Sequence, residues 1–145
     1  FYVCYVHLKG LSRPNDPNVA DWREFMDYWV IERWQDCVKK LDENFDTVGV
    51  NFVETPWQHY SGNFWWARAS YIRNLDPLQD PLTLPWGTPS PYTGAIYDGG
   101  NFRYDHEAWL GTGNPVWFEM HSSPGKQDTG WHFRNRYTRD NYATS

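Results

Sequence analysis

The sequence predicts an α/β fold, a sheet with helices packed against it, and three observations carry that reading. A β-rich apolar run opens the chain at Phe1 to Val6, a long amphipathic stretch covers Asp21 to Glu43, and a second β-rich run covers Asp46 to Val53. Strand, helix and strand in that order make a βαβ unit, for which a right-handed crossover is expected. At 145 residues the chain fits one domain, long enough to bury a core without disulfide staples.

The elements follow in chain order. The continuous apolar run 1–6 suits a strand buried on both faces. It ends at His7-Leu8-Lys9-Gly10, and a polar loop with Pro14 and Pro17 follows. Asp21 can cap the helix, with Glu24 three residues on as in a capping box. Trp22, Phe25, Met26, Trp29, Val30, Cys37 and Leu41 recur at three- and four-residue steps and form a core-facing stripe. Trp34 lies off that stripe, Asp27 and Arg23 fall in the polar remainder, and Lys39 and Lys40 sit where the helix dipole favours cations. After the second strand, residues 54–62 read as a loop, 64–66 as a short strand and 67–75 as a helix. Residues 76–100, dense in proline and glycine, form a long irregular segment. A short helix over 104–110 and a last strand over 116–120 precede a polar tail carrying Arg134, Arg136 and Arg139.

Composition limits the function. The chain carries a net charge of -5 and a pI near 5.4, which argues against a nucleic-acid binder. Its mean hydropathy is -0.79 and no apolar run approaches the ~20 residues of a membrane-spanning helix. Cys4 and Cys37 each sit in an apolar run and read as buried free thiols. Without a basic leader before the first strand, the expected location is the cytoplasm. The run starts inside a strand with no initiator Met, so the expectation is a chain that continues upstream. Ten tryptophans and ten tyrosines are the strongest compositional signal.

Four constellations can carry chemistry. His7, Lys9 and Gly10 stand at the carboxyl end of the first strand, the edge at which open α/β sheets bind ligands. There Lys9 can meet a phosphate, His7 a metal or a hydroxyl, or the group is merely a strand-ending turn. His59-Tyr60-Ser61-Gly62-Asn63-Phe64-Trp65-Trp66 places small polar residues beside indoles, which suits a sugar ring, unless both indoles are core. Asp105 and Glu107 flank His106. Either acid is a candidate general base or a ligand for a hard cation, or the pair caps a short helix. In the tail, His121 and His132 are candidate metal ligands, and the arginines suit phosphate or stay solvated. The chain has no Walker loop, HExxH helix, CxxC pair, GxSxG elbow or Asp-x-Asp. The glycines at Gly111 and Gly113 read as an ordinary turn.

Taken together, Tyr5-Val6-His7-Leu8-Lys9-Gly10, Arg13, Asp21-Trp22-Arg23, Ile31 to Cys37, Asp46 to Asn51, His59 to Ala67 and Glu107 to Pro115 resemble a glycosyltransferase-like family of polysaccharide-synthesis gene sets. The resemblance covers nearly the whole chain, and Ser61-Gly62-Asn63-Phe64-Trp65-Trp66-Ala67 is its most specific part. It implies a partial GT-A-like, Rossmann-related mixed sheet flanked by helices, a single domain over 1–145 lacking its N-terminal nucleotide-binding half. It further implies a nucleotide-sugar donor, a glycan acceptor and a divalent metal, manganese or magnesium. On these residues it implies Glu107 as base with Asp105 as neighbour, and His121 or His132 at the metal. His7, Lys9, Gly10, His59, Ser61, Gly62, Asn63, Trp65 and Trp109 would bind substrate. A non-catalytic carbohydrate-binding protein with Trp and Tyr platforms is the alternative, and an inactive structural fragment a third. A sheet missing strands exposes an unpaired edge, so self-association into a homo-oligomer is also expected.

Overall fold

The computed structural model describes residues 1–8, 13–78, 85–96, 103–128 and 130–143. It is mixed α/β. A four-stranded sheet runs in the order β1-β5-β2-β6, where β1 is Tyr2–Tyr5, β2 is Thr47–Gly49, β5 is Trp65–Arg68 and β6 is Trp117–Glu119. β3 (Phe52–Val53) and β4 (His59–Tyr60) form a separate antiparallel pair with Phe52 opposite Tyr60.

The βαβ expectation holds in part. β1 and β2 share a direction, because both pair antiparallel with β5, which lies between them. Ala67 of β5 stands opposite Val3 on one side and Thr47 on the other, and β2 continues in parallel to β6. β1 is therefore an edge strand of the described sheet, and the expectation of burial on both faces fails. Tyr5, Val6 and Leu8 are exposed, and so is Cys4, which was expected inside. An aromatic and β-branched run reports fitness for a strand but not the strand's place in the sheet.

The long helix is real but interrupted. α1 (Pro17–Asp27) starts four residues before the expected cap, because Asp16 accepts a hydrogen bond from the Asn18 backbone N–H at 2.9 Å and Pro17 fits the first turn. Asp21 is not a cap. It is buried inside the helix, and its carboxylate accepts from Arg136 Nε at 2.6 Å and from the Tyr137 backbone N–H at 3.1 Å. A π-helical turn at Tyr28–Glu32 separates α1 from α2 (Trp34–Asp42). Side chains take the carbonyls of this irregular stretch. The Cys37 thiol donates to Trp29 O at 3.2 Å and the Trp66 indole donates to Val30 O at 2.8 Å. Trp22, Phe25, Met26, Trp29 and Val30 are buried and Trp34 is exposed, as the stripe predicts.

The second strand also splits, at Asn51. This residue has a left-handed φ of 52° and is fully buried; its side chain bonds Ser123 twice, at 2.8 Å each way. The break turns the chain from β2 into β3, and part of the expected loop becomes β4. Gly62 (φ 91°) and Asn63 (φ 62°) then turn the chain into β5. A Cβ at Gly62 would stand 2.2 Å from Met26 Sδ, so only glycine fits beneath α1. α3 (Ala69–Arg73) is shorter than expected because β5 runs on to Arg68, and α4 (Arg103–Trp109) leads into a 3₁₀ turn at Leu110–Gly113.

The C-terminal segment is no solvated tail. α5 (Trp131–Arg134) and a 3₁₀ turn at Arg139–Asn141 pack on α1, and Tyr137 and Tyr142 join Trp22, Phe25, Met26, Tyr28, Trp29 and Phe64 in the main aromatic core. Arg134 bonds Asp128, Arg136 bonds Asp21, and Arg139 bonds Glu32. The three arginines thus each meet a carboxylate of the same chain, of which only Asp21 is buried. No described helix is long and apolar enough to cross a membrane.

Candidate functional site

Two residues singled out separately, His59 and Glu107, meet in space. β4 carries His59 and α4 carries Glu107, and His59 Nε2 lies 3.1 Å from Glu107 Oε1. His59 Nδ1–H donates to the Trp57 carbonyl at 2.9 Å. That contact fixes a hydrogen on Nδ1, since a carbonyl only accepts. Nε2, the other ring nitrogen, is the one that faces the Glu107 carboxylate. The contact is an ion pair when the imidazole carries its second proton. The His59 side chain is 5% exposed and that of Glu107 27%, so a buried imidazole orients a carboxylate that reaches solvent.

The backbone packing that makes this contact depends on Gly111. A Cβ there would stand 2.4 Å from the Gln58 carbonyl oxygen, so the turn after α4 lies against the start of β4 only because position 111 lacks a side chain. Sequence reading passes over Gly111, although a glycine four residues after a candidate base was the available signal. A hollow of about 280 Å³ is lined by Glu54, Trp57, Gln58, Ala108 and Thr112 among others, which include chain neighbours of the pair but neither of its two members.

Asp105 is separated from Glu107 in role as well as in space along the helix. It is buried, and its carboxylate accepts from Ser90 Oγ at 2.6 Å, while Ser90 Oγ also accepts from the backbone N–H groups of Tyr92 and Thr93. Asp105 fastens the proline-rich segment to α4.

The two earlier constellations also join. His7 Nε2–H donates to the Gly62 carbonyl at 2.8 Å, tying the end of β1 to the turn before β5. Lys9 and Gly10 lie outside the described residues. Ser61 is buried, and its N–H donates to the Asn51 carbonyl at 3.0 Å. Asn63 Oδ1 accepts from the Trp65 indole at 3.0 Å. Trp65 is 5% exposed and stacks on Tyr5 at 5.3 Å, so its faces serve the core and not a sugar. The Trp109 indole donates to the Asp76 carbonyl at 2.7 Å.

The two tail histidines stand in the aromatic core. His121 stacks on Trp29 at 5.4 Å and its Nε2 bonds the Tyr137 hydroxyl at 2.8 Å; burial holds its pKa below the ordinary value. His132 stacks on Trp22 at 5.2 Å, with Nε2 2.8 Å from Ser123 Oγ. That oxygen already accepts from Asn51 Nδ2 and the Gly125 N–H, so its own hydrogen goes to His132 Nε2 and occupies the nitrogen lone pair. Imidazoles bonded to hydroxyls between aromatic rings do not suit manganese or magnesium, which prefer oxygen ligands. Among the described residues no three His, Cys, Asp or Glu side chains gather as a metal site.

Residues 1–86, more than half of the chain, match the family model described as Domain of unknown function (DUF8361), and the chain belongs to that family. The match takes in His7 and the stretch from His59 to Trp66, and ends before Glu107. No curated protein matches, and no solved structure matches.

Proposed function

We propose that the chain is a glycosyltransferase-like domain of GT-A type, moving a sugar from a nucleotide-sugar donor to a glycan hydroxyl. The observation that carries the reading is the contact between His59 and Glu107. Glu107 takes the proton of the acceptor hydroxyl, and the oxygen forms a bond to the anomeric carbon. The bond from that carbon to the diphosphate breaks, and the nucleoside diphosphate leaves with the electron pair. His59 is a positioning residue: its bond to Trp57 O holds the ring, and the ring holds the carboxylate. A base that is partly exposed and held by a buried partner fits an acceptor arriving from solvent. The sequence resemblance and the mixed sheet support the same reading.

No step is drawn through a metal, since His121 and His132 do not fit manganese or magnesium. The tail arginines, which by type suit phosphate, each meet a carboxylate of the chain, Asp128, Asp21 or Glu32, and take no part in the step. A cytoplasmic location accords with this chemistry, where nucleotide sugars are made. The unpaired edge of β1 among the described strands supports self-association. The alternative, a non-catalytic carbohydrate binder with tryptophan platforms, has less support because Trp65 is packed.

The test is release of nucleoside diphosphate from a panel of nucleotide sugars in the presence of glycan acceptors. Glu107→Gln should lower release by ~10²–10⁴, and His59→Gln should lower kcat about tenfold with KM little changed, less than the loss of the base itself. Equal turnover by all three proteins would remove the pair from the mechanism.

A further inference from the structure

A second cavity, of about 370 Å³, lies between the end of β1 and α1, at the small end of the ~300–1,000 Å³ that ligand pockets occupy. His7, Leu8, Arg13, Arg23, Asp27 and Phe64 are among its walls. None of these residues belongs to the His59 and Glu107 pair.

The polar walls divide into spent and unspent groups. Arg13 is spent: it reaches Asp16 at 3.8 Å and lies over the Phe133 ring at 4.6 Å. Asp27 is unspent. It is half-buried at the end of α1, and among the described residues its carboxylate makes no hydrogen bond or ion pair. Arg23, one helical turn before it, is exposed and makes none either. His7 is fixed by its Nε2–H bond to Gly62 O, which leaves Nδ1 as an acceptor in the neutral ring. Burial pushes the Asp27 carboxyl above the ordinary range, and Arg23 pulls the other way. A half-buried carboxylate without a donor costs free energy that a bound donor relieves.

We infer that this cavity is a saccharide subsite in which Asp27 accepts from two adjacent hydroxyls of a neutral pyranose. The two oxygens of a carboxylate match a vicinal pair of O–H donors. Arg23 donates to a ring or hydroxyl oxygen, and His7 Nδ1 accepts a further hydroxyl. Val6 and Leu8, 43% and 78% exposed, offer apolar surface to the C–H face of the sugar. Charge selects a neutral ligand. Arg13 and Arg23 are balanced by Asp16 and Asp27, and a phosphate would meet the Asp27 carboxylate directly. The inference goes beyond the proposed transfer chemistry and concerns binding alone, at residues the transfer step does not use.

The experiment is an NMR titration of the ¹⁵N-labelled chain with methyl glucopyranoside, methyl galactopyranoside and methyl mannopyranoside at millimolar concentrations, and separately with uridine diphosphate. At least one glycoside should shift the amides of Leu8, Arg23 and Asp27 saturably. Asp27→Asn and Arg23→Gln should each weaken that binding about tenfold, the equivalent of ~1.4 kcal/mol. Near-UV circular dichroism checks each fold, and because Arg23 is exposed, Arg23→Gln carries the test if Asp27→Asn perturbs the helix. Three results overturn the subsite: no glycoside binds, binding is unchanged in the folded variants, or only uridine diphosphate shifts these amides. Glycoside binding without any transfer activity would count against the transfer reading and leave the subsite standing.

Discussion

The histidines of the aromatic core and the histidine of the β4 and α4 junction have the same side chain and opposite surroundings. His121 and His132 lie between indole and phenyl rings, and each ends on a hydroxyl, of Tyr137 or Ser123. A hydroxyl can donate or accept, so these contacts close without adding a proton. His59 faces a carboxylate, which only accepts when ionised, so this contact becomes an ion pair when the imidazole is protonated. The difference teaches that the partner of a histidine, more than the histidine, separates a structural contact from a chemical one. It also explains why histidines that stand in separate candidate constellations in the sequence divide in the fold into core and pair.

Three substitutions sharpen the contrast between the closed core and the open pair. The largest effect on stability is expected for Phe25→Ala. Phe25 is fully buried and touches His121, His132, Tyr137 and Tyr142, so its loss should cost ~3–5 kcal/mol in urea unfolding. A cost below 1 kcal/mol would mean that the C-terminal segment is not docked on α1. Next comes Gly111→Ala, whose methyl group would strike the Gln58 carbonyl. Overpacking of this kind costs ~1–3 kcal/mol, and it should also separate His59 from Glu107 and lower transfer. Unchanged transfer in this variant would show that the pair does not depend on the close approach.

The smallest effect is the pH response of His121. Burial lowers its folded pKa, with Glu119 opposing, so protonation favours the unfolded chain. The stability involved is fully present above the ordinary value of about 6.5 and is lost as pH falls below it. Thermal melts between about pH 7 and pH 5 should show a falling Tm that is flatter in His121→Gln. Identical slopes would assign the dependence to other groups.

What the sequence reveals is what lies close along the chain. The stripe through Trp22, Phe25, Met26 and Trp29 is readable because helical spacing is local, and the burial of these residues agrees. The insertion of β5 between β1 and β2 is not readable, because strand order follows from pairings between distant segments. Asp21 looks like a cap because Glu24 stands three residues on; its partners, Arg136 and Tyr137, lie more than a hundred residues away. Asp16 and Pro17 were the better local signal, a capping residue followed by proline. His59 and Glu107 stand out individually by chemical type, and their pairing needs the hairpin and α4 to be in place. Asp27 and Arg23 read as solvated polar positions. Only the packing of α1 beside the end of β1 shows that they line a cavity.

The central claim is that Glu107 is the base and that its role is chemical and not structural. The most direct test compares wild type with Glu107→Gln, measuring nucleoside diphosphate release from nucleotide sugars with glycan acceptors beside the melting temperature of each protein. The account predicts that transfer falls by ~10²–10⁴, the range expected when a general base is lost, with almost no change in Tm. Transfer by Glu107→Gln at the wild-type rate would contradict it.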